Sequence, residues 1–85
     1  KGFSLAVFPN PVNNLATIQL NLDNAAETVI ELTNMLGQVV YTSDKGELFG
    51  QQNITLDCSK YDNGIYLVNV TANGITNSKR IVLSK

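Results

Sequence analysis

The sequence contains no histidine and no tryptophan, and Cys58 is its one cysteine. Each absence removes a class of function. Without histidine the chain lacks the usual general base near neutral pH and the commonest metal ligand. A lone cysteine allows no internal disulfide, and with no histidine beside it a structural zinc site is excluded. Ser-His and Cys-His nucleophilic pairs fall for the same reason, and no carboxylate pair is placed by spacing, so the chain reads as a non-enzyme. Charge is sparse: six Lys+Arg stand against seven Asp+Glu, a formal net charge of −1. No basic field exists to hold a nucleic-acid backbone. Apolar runs extend only a few residues, too short for a membrane-spanning helix. The cationic, apolar and small-residue succession of a signal peptide is absent. Opening on Lys1, the chain reads as a piece of a longer protein, with an export signal expected upstream.

What remains is the composition of one small globular domain. Its 85 residues are 44% hydrophobic and 15% charged, which supports folding rather than disorder. A chain of this length buries roughly 60–65% of the surface it exposes when unfolded, enough for one thin core. Asparagine recurs from Asn10 to Asn77 and suits a fold of many short strands and corners, because it tolerates positive φ.

Period-two alternation dominates. In Leu15–Leu22 the apolar residues Ala16, Ile18, Leu20 and Leu22 alternate with Thr17, Gln19 and Asn21, the pattern of a half-buried strand. Asp23-Asn24 supplies a turn, and Thr28–Asn34 follows with Ile30 and Leu32 inward. Val29 falls on the outer face without explanation. Gly37 closes a short connection to a strand at Gln38–Thr42, and Ser43–Gly50 reads as a loop. Gln52–Asp57 alternates again. Gly64–Thr71 carries Tyr66, Val68 and Val70 on one face and Ile65 and Leu67 on the other, as if buried on both sides. Asn73-Gly74 is the strongest hairpin signal, since a type I′ turn needs positive φ at both positions. The returning strand is Ile75–Leu83. A first strand at Ser4–Phe8 must end at Pro9-Asn10-Pro11, where neither proline can donate an N–H. About seven strands with turn signals roughly every 8–12 residues predict an all-β fold, an immunoglobulin-like antiparallel β-sandwich. No helical period long enough for a crossover interrupts them.

Few residues invite a chemical reading. Asp57, Ser59, Asp62 and Asn63 form an oxygen-rich cluster, but the spacing does not match an EF-hand, and such residues commonly form turns. Cys58 reads as a small buried apolar residue. Asn53-Ile54-Thr55 and Asn69-Val70-Thr71 match the glycosylation sequon but lie in predicted strands. Tyr66, two residues after Gly64, is placed like a tyrosine corner, whose hydroxyl bonds back to the backbone. Sugar stacking would have only Tyr41, Tyr61, Tyr66 and Phe3, Phe8 and Phe49 to use. Lys79-Arg80 is a basic pair near the end, read either as protection of an edge strand or as a partner-recognition feature.

Three motifs stand together in order. They are Phe8-Pro9-Asn10-Pro11 with Val12-Asn13-Asn14; Ile30 through Val40 with Gly37 at its turn; and Asp57 through Val70 with Gly64 and Tyr66, followed by Lys79-Arg80-Ile81-Val82. From about Phe8 to Lys85 the chain resembles the type A C-terminal sorting domain of the type IX (Por) secretion system. Asn34 stands where that family usually has Asp, Thr33 where an aromatic is common, Cys58 and Tyr61 at aliphatic positions, and Leu83 where a Lys is frequent. The resemblance implies a lead-in or first strand at 1–8 and a single sorting domain over 9–85. It implies that the domain ends its full-length protein and directs an N-terminal cargo from the periplasm across the outer membrane. The partners implied are the translocon and a surface sortase that usually removes the domain, leaving the cargo secreted or at the cell surface. Lys79, Arg80, Ile81, Val82 and Leu83 would carry the recognition signal. Pro9, Asn10, Pro11, Gly37, Gly64 and Tyr66 would be structural. No cofactor, nucleic acid or small-molecule substrate is implied. Exposed edge strands could pair between chains as a dimer, and a strand running to Leu83 could receive a partner strand. A structural or adhesive immunoglobulin-like module and a carbohydrate-binding module are the competing readings.

Overall fold

A computed structural model describes residues 3–85, and those residues are all β and turn, with no helix. Five strands follow one another: β1 (Phe3–Phe8), β2 (Leu15–Asn34), β3 (Val39–Asp57), β4 (Gly64–Ala72) and β5 (Ile75–Leu83). They form one antiparallel sheet in the order β1-β2-β4-β5, with β3 on the other side of β2. The count of seven expected from turn signals is thus corrected to five. Asp23-Asn24 does not reverse the chain, and Ser43–Gly50 is strand, not loop. These segments face each other across the β2–β3 pair, where the register shifts between Leu22 and Ala26 and again between Thr28 and Val29. Gly46 and Gly50 adopt φ of 70° and 74°. Their turn-like chemistry serves bulges in a continuing strand, which need the same positive φ.

The length of β2 shows why the sheet must curl. A straight strand of 20 residues would span roughly 65 Å at about 3.3 Å per residue. The longest dimension of the molecule is 35 Å. β2 also changes neighbour along its course: Thr17–Leu22 pairs with β1, and Thr28–Asn34 pairs with β4. One strand therefore belongs to two parts of a sheet that folds over itself.

Both halves of β2 send even-numbered residues into one core. Ala16, Ile18, Leu20 and Leu22 from the first half join Ala26, Ile30 and Leu32 from the second, with Val68 and Val70 of β4 and Ile81 and Leu83 of β5. Thr28 is the polar member of the buried set, and its hydroxyl donates to the carbonyl of Ala26 at 3.0 Å. β4 is buried on one face only. Leu67 is exposed and Ile65 half-buried, so the apolar character of their face does not reflect a second layer. Val29 is half-buried on the same outer surface. The β4–β5 hairpin turns at Asn73 (φ 53°) and Gly74 (φ 81°), the conformation that its Asn-Gly pair favours.

Candidate functional site

Residues of β5 divide by parity, since successive side chains of a strand point to opposite faces. Ile81 and Leu83 are each 1% exposed and belong to the core. Arg80 is exposed and Val82 half-buried on the outer face. Lys79, exposed as well, pairs with the buried Val68 and so leaves the sheet on the inner side, at its margin. The adjacent basic residues are thus not one patch.

The outer edge of β5 near its end is not open. The Val12 N–H donates to the Val82 carbonyl at 2.7 Å, and the Ser84 N–H donates to the Val12 carbonyl at 2.9 Å. This is a short parallel bridge between Val12 and Leu83. Asn10 extends it with its side chain, accepting from the Val82 N–H at 3.1 Å and donating to the Arg80 carbonyl at 3.5 Å. Pro9-Asn10-Pro11 breaks β1 and releases the chain to cross over as a strap, and Val12, fully buried, pins the strap to the core. Strand addition at residues 80–84 is therefore blocked while the strap is seated. Sequence periodicity gives Val12 no role, because it lies between strands and its partner stands some seventy residues away.

Two turns flank this end. At the β2–β3 turn the Asn34 side-chain oxygen accepts from the N–H groups of Leu36 and Gln38, each at 3.0 Å. Its amide donates to the Gln38 side-chain oxygen at 2.9 Å. An Asp could make the first two bonds, and the third only with the Gln38 amide turned to donate its nitrogen to the carboxylate. Gly37 takes φ 84° within this turn. Between β3 and β4, the Asp57 carboxylate accepts from the Ser59 N–H at 2.9 Å. Hydrogen bonds from the Ser59 side chain and backbone hold the Asp57 carboxyl below its ordinary value. The Tyr66 hydroxyl donates to the Asp62 carbonyl at 2.7 Å, fixing the corner before β4, and Gly64 sits at φ 153°. Lys85 closes the same corner: its N–H donates to Asn63 at 3.0 Å and its ammonium to the carbonyls of Ser59 and Tyr61. Asp57, Ser59 and Asn63 thus spend oxygens on the turn itself. Cys58 is fully buried, and that burial pushes its thiol above the ordinary range, the opposite of an activated nucleophile. Asn69, of the second sequon, donates to Thr33 at 3.3 Å and accepts from Ser78 at 2.6 Å. Of the aromatic residues, Phe3 and Tyr66 are buried, whereas Phe8 and Phe49 are exposed on separate strands.

Comparison with known proteins gives two matches. The family model described as the secretion system C-terminal sorting domain matches residues 6–84. The chain is also similar to ulvan lyase NLR42 of Nonlabens ulvanivorans, 35% identical over 71 residues, covering 82% of this chain and 12% of that protein. The chain spans about one eighth of that relative's length.

Proposed function

Because this chain belongs to the family of secretion system C-terminal sorting domains, we propose that its folded form is read by the type IX translocon and afterwards by a surface sortase. The chain is a C-terminal sorting signal of type IX secretion, a family of address domains rather than catalysts. The match over residues 6–84 carries this reading. We assign the sorting domain to residues 9–85 and the lead-in or first strand to 1–8. In this reading a cargo polypeptide precedes the domain, passes through the periplasm, and ends at the cell surface or in the medium. The recognition signal is the segment Lys79, Arg80, Ile81, Val82 and Leu83. Ile81 and Leu83 contribute by holding β5 against the core, while Lys79, Arg80 and Val82 are accessible. Counting the two halves of β2 and of β3 as separate arms gives the seven arms of an immunoglobulin-like sandwich, and this is the fold we propose for the export-competent state.

The test is fusion of all 85 residues to the C-terminus of a periplasm-exported fluorescent protein. The host carries the type IX machinery or lacks its translocon. Export to the surface or medium only with the translocon is the expected result, and Lys79→Ala with Arg80→Ala reduces it without unfolding the domain. A reporter that stays periplasmic in both hosts overturns the proposal.

A further inference from the structure

Several motifs far apart in sequence meet on one exposed apolar surface. Registered neighbours in a sheet share a face. Thr33 pairs with Val39 of β3 and with Leu67 of β4, and Leu67 pairs with Arg80 of β5. These four form one row across the outer face. The next row toward the sheet end pairs Ile65 with Val82. The β2–β3 turn leaves the sheet at this level and holds out Met35 and Leu36, 66% and 84% exposed. Val39 is 52% and Leu67 36% exposed. Leu36 stays exposed on a turn that the Asn34 side chain holds by three hydrogen bonds. A rigid turn that presents a leucine to water costs hydration without a packing gain, which marks an interaction surface.

We infer that this face, formed by Val39, Ile65, Leu67 and Val82 around Arg80 and bordered by the turn that carries Leu36, is the surface through which a protein of the export machinery reads the domain. The inference rests on the sorting function proposed above. The partner it fits presents an apolar patch with a carboxylate placed to meet Arg80. Charge argues against a second copy of this chain as occupant. Two copies facing each other here would bring both Arg80 guanidiniums into one apolar contact, and like charges so placed repel. The nearest acid on the same face, Glu31, lies in the adjoining row two strands away, across Asn69 and Ser78. The segment Lys79–Leu83 then acts through one face of β5: Arg80 and Val82 are the contacts, and the inward residues position them.

The reporter fusion tests this directly. Leu36→Ser with Leu67→Thr is expected to cut translocon-dependent export about tenfold, as truncated interface anchors do. The melting temperature should fall by no more than a few degrees, because Leu36 is almost wholly exposed and threonine suits the strand position of Leu67. Arg80→Glu should lower export and Arg80→Lys retain most of it. Phe49→Ser, which removes a 63% exposed apolar side chain from β3, should export normally. If the wild-type reporter is exported and the double variant is exported equally, the inference fails alone. A wild-type reporter that stays periplasmic overturns the sorting function and the inference together. A wild-type domain that sediments as a dimer, and a double variant that sediments as a monomer, would give the surface to a second copy and overturn the choice of partner.

Discussion

The two long edges of the sheet are managed in opposite ways. On the outer edge of β5, residues 80–84 are covered by the strap from Asn10 to Val12. β3 pairs only with β2 among the described residues, so its outer edge carries no neighbour along 19 residues. The β3 edge is broken instead by register shifts, with Gly46 and Gly50 at positive φ. Both devices discourage pairing with a foreign strand, one by occupancy and one by irregular shape. The difference teaches that the tail is protected as backbone and displayed as side chains. Recognition of a surface suits it better than strand addition.

Substitutions can break this comparison, and the largest effect is expected beneath the strap. Leu83→Ala leaves a cavity where β5, Val12 and the core meet, at a cost of about 2–5 kcal/mol. For a domain of this size each kcal/mol lowers the melting temperature by about 4–8 °C, which calorimetry would read. Asn10→Ala should cost about 1 kcal/mol through the lost bond to the Val82 N–H. Hydrogen exchange would reveal it as faster exchange at Val82 and not at β4 amides such as Val68. Gly50→Ala sharpens the other side of the comparison. A side chain at φ 74° is strained although no atom lies within 4 Å of its Cβ. About 1 kcal/mol should be lost in chemical denaturation, the penalty of the conformation alone.

The smallest effect concerns the corner that Lys85 closes. Because the folded Asp57 carboxyl is held below its ordinary value, its contribution to stability is present above the unfolded value of about 3.9 and is lost as pH falls through the folded one. The melting temperature should therefore fall on acidification below about pH 4. In Asp57→Ala that dependence should be shallower. An equally steep curve would remove Asp57 from the account.

Local patterns made much of this fold legible. The even-numbered residues from Ala16 to Leu22 and Ile30 and Leu32 alternate as a half-buried strand must, and each is buried. Asn73-Gly74 and the Tyr66 corner follow from backbone chemistry confined to a few residues. Errors arose where one local signal serves two structures. Asp44 accepts from the Gly46 N–H at 2.9 Å, as it would in a turn, yet the chain continues as strand. A glycine at positive φ marks a bulge as readily as a reversal. Ile65 and Leu67 read as doubly buried because apolar residues on both faces of a strand usually mean two layers. Here their outer face is open to solvent. The strap lay beyond such reasoning altogether, since nothing in Asn10 announces a partner at Val82.

The strap also sets how the domain bears load. Val12 and Leu83 run parallel, so tension that drew Asn10 and Ser84 apart would slide the two segments past each other and strain their hydrogen bonds together. The antiparallel β4–β5 hairpin, drawn open from its free ends, would instead lose its bonds one after another. A tether closed in shear resists tension applied across it, with Asn10 drawn one way and Ser84 the other, and gives way readily once the strap is lifted sideways.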